Sequence, residues 1–126
     1  MIGYVTIGTN DLGRAVSFYD TVLSELGASQ LYSTDRMAAW GTSKNGPVLM
    51  VTLPYDENSA TVGNGVMVAL AAKNREVVDA VYRKAVELGA TDEGPPGPRG
   101  TSGFYAGYFR DLDGNKLNVF ISGRRN

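Results

Sequence analysis

Residues 3–8 alternate apolar and polar side chains, with Val5 and Ile7 on one side and Tyr4, Thr6 and Gly8 on the other. That is the period-two pattern of a strand with one buried face. From Leu12 the period lengthens. Ala15, Val16, Tyr19, Val22, Leu23 and Leu26 follow the i, i+3, i+4 spacing of one helix face, with Arg14, Ser17 and Asp20 off the stripe, which predicts an amphipathic helix. Asn10 or Thr9 is its expected N-cap, Asp11 puts negative charge in the first turn, and Gly27 suits a left-handed C-terminal residue. Strand-like runs follow at 29–34, 37–42 and 48–53, and "SKNGP" between the last two carries an Asn-Gly hairpin signal. The first half reads βαβββ.

After "PYDENSATVGNG", a polar connector at 54–65, the order repeats. A strand is expected at 66–72, and Asn74 caps a helix bearing Val78, Val81, Tyr82, Ala85 and Leu88, which Gly89 ends. Tyr19 and Tyr82 stand 63 residues apart, and Gly27-Ala28 and Gly89-Ala90 stand 62 apart, which suggests a duplicated module. Further strands are expected at 90–93, 103–111 and 116–121, the last two joined by "DLDGN". That loop lacks the spaced acidic positions of a calcium loop and reads as a turn. Between the others lies "GPPGPRGTSG", 94–103, expected to be irregular and a candidate lid. It lacks the glycine spacing and lysine of a phosphate loop. Its Arg99 reads either as solvated or as closing over an anionic ligand group. The terminal "GRRN" reads as a frayed tail.

The pattern implies an α+β fold. Two βαβββ modules form curved mixed sheets around a cavity, with helices on the outer faces. One domain is expected over 1–126, with module 1 at about 1–53, a linker at 54–64 and module 2 at about 65–122. Val5, Ile7, Leu49, Val51, Val66, Val68, Leu70, Leu117, Val119 and Ile121 are expected beneath the helices. Tyr4, Thr6, Trp40, Met50, Thr52, Met67, Ala69, Tyr108, Asn118 and Phe120 are expected on the cavity side, with Trp40 and Tyr108 at equivalent third-strand positions. Any one of the aromatic and Met residues reads equally as core; as a set on one face they favour a pocket.

Composition narrows the chemistry. The 126 residues carry 12 basic and 13 acidic side chains without a long run of either sign, which argues against nucleic acid or an anionic membrane as partner. No apolar run suits a membrane span, and no basic-then-apolar leader begins at Met1, so a cytoplasmic location is expected. The chain has no Cys and no His. Thiolate and imidazole catalysis and His-rich zinc sites are therefore excluded, and acid–base work would fall to Asp, Glu, Lys or Tyr.

The chain resembles the glyoxalase, bleomycin-resistance and extradiol-dioxygenase superfamily. The resemblance rests on the paired modules, on "NDLGRAVSFYDTVLSELG", on "VVDAVYRKAVELGA" and on "FRDLDGNKLNVF", whose Leu112 replaces the proline of the family's Asp-Pro-Asp-Gly-Asn hairpin. It implies that metal-dependent relatives hold an ion with His at the starts of the modules and Glu near the end. Those positions fall here on Tyr4, Met50, Met67 and Asn118, a donor set unsuited to Zn, Fe, Ni or Mn. No metal or other cofactor is expected. The resemblance also implies a homodimer, as do the open sheet edges.

Three functions stay open. One is a metal-free protein binding a small apolar or aromatic molecule through Tyr4, Thr6, Trp40, Met50, Met67, Arg99, Tyr108, Asn118 and Phe120. The second is a lyase or dioxygenase-type enzyme. It would recruit a metal through Asp56, Glu57 or Glu93, or work without one, using Tyr4 or Tyr108 as acid and Asn118 as polariser. The third is an interaction subunit whose cavity is filled.

Overall fold

The computed structural model describes residues 1–123; the expected frayed tail at 124–126 lies outside the described residues. The chain forms β1 (Tyr4–Gly8), α1 (Leu12–Ser24), β2 (Ser29–Ser33), β3 (Met37–Gly41) and β4 (Val48–Thr52). The order then repeats as β5 (Val68–Ala71), α2 (Arg75–Glu87), β6 (Thr91–Pro98), β7 (Tyr105–Arg110) and β8 (Lys116–Ile121). Two compact units result, divided between Val62 and Gly63. Each holds an open four-stranded mixed sheet, ordered β1-β4-β3-β2 in the first and β5-β8-β7-β6 in the second. The α+β class and the doubled βαβββ order agree with the sequence. No described helix is long and apolar enough to cross a membrane.

In the first unit, α1 covers one face of its sheet with Ala15, Phe18, Tyr19, Val22 and Leu23, all buried. Burying each large side chain contributes about 1.5–3 kcal/mol. The N-cap is Asp11, one residue later than expected, and its carboxylate accepts from the Arg14 N–H at 3.1 Å. Gly27 has φ +77°, the left-handed conformation that its place after the helix calls for. The Asn45-Gly46 hairpin does not form. Gly46 is not among the positive-φ glycines, and a type I′ turn needs positive φ at both central residues, so a longer loop joins β3 to β4. The 54–61 segment docks on its own unit through Asn10, whose carboxamide accepts from Ala60 N at 2.7 Å and donates to Ala60 O at 3.3 Å.

The register corrects one expectation. Trp40 pairs directly with Leu49, and Ala38 with Val51, and paired residues share a face. Leu49 and Val51 lie beneath α1, so Trp40 does too. It is 1% exposed, its ring centroid lies 5.6 Å from that of Tyr19, and its indole N–H donates to Asp20 at 2.8 Å. Trp40 is core, not cavity lining. Tyr108 pairs with Asn118 and has Ala39, which pairs with Met50, as its counterpart. The counterpart of Trp40 is Phe109.

In the second unit, α2 packs on its sheet through Val78, Val81 and Ala85, and Phe109, Leu117 and Val119 beneath have no exposed surface. Strand β5 begins at Val68; Val66 and Met67 precede it and are 60% and 40% exposed, so Val66 is not beneath the helix. The larger departure is at 94–98, expected to be irregular. These residues belong to β6, with Gly94 opposite Tyr108, Gly97 opposite Ala106 and Pro98 opposite Tyr105. Pro and Gly are tolerated because β6 is an edge strand whose register shifts between Asp92 and Gly94 and between Gly94 and Gly97. Gly107 lets β6 and α2 close on the sheet, since a Cβ there would stand 3.1 Å from Pro96 and 3.3 Å from Tyr82. The "DLDGN" loop is a turn: Asp111 Oδ1 accepts from the N–H groups of Asp113 and Asn115, each at 2.9 Å.

Two outcomes follow from this packing. Trp40→Ala should destabilise the protein by about 3–5 kcal/mol and Trp40→Phe by about 1–2 kcal/mol in urea unfolding, with ligand affinity unchanged in the folded variant. Tyr82 donates to Asp92 at 2.7 Å. Burial, then that bond and the Asp92 charge, push its pKa up to about 12. Because the folded value is raised, the stabilisation is complete below the ordinary tyrosine pKa near 10 and is lost as pH rises through about 12. Phenolate absorbance should show a late-ionising tyrosine that Tyr82→Phe removes.

Candidate functional site

Each helix covers one face of its sheet and leaves the alternate side chains on the other. In the first unit the cross-strand pairs Thr6–Met50, Met50–Ala39 and Ala39–Tyr32 make one row on the helix-free face. The Met50 sulfur stands 4.0 Å from both the Thr6 and the Tyr32 hydroxyls. Met50 is buried, whereas Tyr4 beside this row is 66% exposed. In the second unit the matching row is Ala69, Asn118, Tyr108 and Gly94. Phe120 flanks it, stacked on Phe104 with centroids 5.6 Å apart. Met67 precedes β5 and is exposed.

Asn118 is the unusual member. It is 2% exposed, and its Oδ1 accepts no hydrogen bond. An unsatisfied buried acceptor costs about 1–3 kcal/mol. Its neighbour Tyr108 carries two cations: Arg99 Cζ lies 5.4 Å and Lys116 Nζ 5.8 Å from the ring centroid, within reach for cation–π attraction.

Arg99 is not on a free lid. Its N–H donates to Phe104 O at 2.8 Å, and its guanidinium donates to the carbonyls of Pro95 and Gly97, each at 2.8 Å, and of Pro98 at 3.4 Å. It is held where the β6 edge turns, against Tyr108.

Of the expected site residues, Thr6 and Met50 come together in the first unit, and Arg99, Tyr108, Asn118 and Phe120 in the second. Trp40 joins neither. Tyr32, Lys116 and Phe104 were not anticipated. Lys116 was legible, since it alternates with Asn118 and Phe120 on β8. Tyr32 was hidden by the register shift between Gln30 and Tyr32. A separate polar hollow of about 320 Å³ opens at the ends of β1 and β4, between Thr9, Asn10, Arg36 and the 53–59 segment. Arg36 is spent there on the Pro54 carbonyl at 2.7 Å, and of the candidate residues it is Glu57, named for a possible metal, that lines it.

The family model for the Glyoxalase/Bleomycin resistance protein/Dioxygenase superfamily matches residues 1–119. The chain belongs to that superfamily. A glyoxalase/bleomycin resistance protein from Albidiferax ferrireducens T118 is 33% identical, with 96% of this chain and 98% of that chain covered and a TM-score of 0.88. Two more distant structures share the fold. A putative glyoxalase from Bacillus halodurans is 22% identical, with 96% and 95% covered and a TM-score of 0.75. A genomically encoded fosfomycin resistance protein from Listeria monocytogenes is 18% identical, with 97% and 93% covered and a TM-score of 0.73. No curated protein matches.

The positions at which the resemblance implies metal ligands do not suit a metal here. Tyr4, Met50, Met67 and Asn118 offer a neutral phenol, two thioethers and a carboxamide, without a charged or imidazole donor. Among the described residues no group of three His, Cys, Asp or Glu side chains could hold an ion, so Asp56, Glu57 and Glu93 form no substitute site. Glu93 is instead paired with Arg110.

If the Asn118 carboxamide is retained for a ligand, apolar replacement should help the empty protein. Asn118→Leu is expected to raise the melting temperature without ligand, by removing a cost of about 1–3 kcal/mol. A lowered melting temperature would show that the carboxamide supports the fold.

Proposed function

We propose that this superfamily member binds a small, partly aromatic organic molecule on the helix-free faces of its sheets, without the metal chemistry of its metal-dependent relatives. The observation that carries this reading is Asn118, a buried carboxamide with an unpartnered oxygen, set between Ala69 and Tyr108 on the face that α2 does not cover. An unmet buried acceptor calls for a partner, and a bound ligand with a donor group would supply one. The tyrosines whose acidity the fold shifts, Tyr82 and Tyr105, bond to Asp92 and to Asp79 of α2 on the helix side. They lie away from the helix-free face and take no part in the capture proposed there. A protective role fits this reading, in line with the resistance proteins among the relatives.

We also propose a homodimer. Tyr4, Leu31 and Tyr32 are 66%, 37% and 51% exposed on the helix-free side of the first unit, apolar surface that a second copy would cover.

Three measurements test the proposal. In a thermal-shift screen of aromatic acids, amides and phenols, at least one class should raise the melting temperature of the parent and fail to raise that of Asn118→Leu; equal stabilisation of both would contradict it. Elemental analysis after a chelator wash should find no stoichiometric Zn, Fe, Ni or Mn. Sedimentation at tens of micromolar should show a species of twice the chain mass, and a monomer would refute the dimer.

A further inference from the structure

The helix-free face of the second unit carries charge that no described carboxylate balances. Arg99 and Lys116 both sit on the Tyr108 ring. Among the described residues neither has a carboxylate partner, and the nearby acids are committed elsewhere. Glu93 pairs with Arg110. Asp92 accepts from Tyr82 and from Gly94 N, each at 2.7 Å, and so is turned toward α2. Asp111 is spent on its own turn. Two like charges on one ring repel each other when no anion lies near.

The cations are also prepared for a partner. Arg99 spends three of its five N–H groups on backbone carbonyls, which fixes the guanidinium without neutralising it and leaves the others to donate. Gly94, at φ +146°, makes room for it: a Cβ there would stand 3.3 Å from Arg99 Nη2. The Lys116 ammonium donates no hydrogen bond to the described residues. Beside this pair the Asn118 oxygen lacks a donor.

We infer that the ligand of this face is a small organic anion that also carries a hydroxyl or amino donor. Its acid group is met by Arg99 and Lys116, its donor by Asn118 Oδ1, and its body by Tyr108 and Phe120. The inference rests on the binding function proposed above and names the chemical class of its ligand.

The test uses the three hydroxybenzoate isomers, their primary amides and their methyl ethers as probes. Binding is measured by calorimetry and located by the side-chain amide resonance of Asn118. At least one hydroxybenzoate should bind at Asn118 about tenfold more tightly than its amide, weaken with added salt, and weaken when its hydroxyl is methylated. Lys116→Gln, at a half-exposed position, should weaken the acid about tenfold and leave the amide unchanged. Equal binding of acid and amide, or indifference to Lys116→Gln, would overturn the anion inference and leave small-molecule binding standing. If no probe perturbs Asn118, both fail.

Discussion

Leu117 and Val119 have no exposed surface because α2 lies on them, and strand alternation then forces Asn118 between them to the opposite face. This one constraint orders the second unit. Pairing carries it outward from the central strand, turning Phe109 toward the helix with Leu117 and Tyr108 away from it with Asn118. The β6 edge places Gly94 beside Tyr108 and so brings Arg99 onto the ring. A shift of one residue would bury a lysine and a carboxamide under α2 and expose the apolar core, so the register and the site are the same specification.

The same row exists in both units with different chemistry. In the first it is Thr6, Met50, Ala39 and Tyr32, joined by weak contacts to a thioether, adaptable and nearly uncharged. In the second it is Ala69, Asn118, Tyr108 and Gly94, flanked by two cations. One scaffold occurs twice with different side chains at matching positions: one row is soft and apolar, the other polar and charged.

Much of this was legible in the sequence because the periods are clean. The two helices, the order of strands and the two faces of β1, β4 and β8 follow from spacing alone, and "NDLGRAVSFYD" with "DLDGN" carries the family. Trp40 was misplaced for a physical reason. The sequence sets Trp40 level with Tyr108, whereas the pairing sets Ala39 there and Trp40 level with Phe109, and an error of one residue inverts the face. The direct pair Trp40–Leu49, invisible without the structure, decides the matter. Residues 94–98 were misread because Pro and Gly argue against a central strand and only weakly against an edge. Asn118 was singled out for its place in the family pattern; that its oxygen is unpartnered could be seen only from the packing around it.

On the proposed function, the helix-free face around Asn118 and Tyr108 receives the ligand. Fluorine NMR on protein labelled with 3-fluorotyrosine tests it most directly, with resonances assigned by single Tyr→Phe substitutions. On titration with a compound that stabilises the protein, the Tyr108 resonance should move, while those of Tyr82 and Tyr105, which bond to Asp92 and Asp79 on the helix side, stay fixed. Movement of Tyr82 or Tyr105 with Tyr108 unchanged would contradict the account.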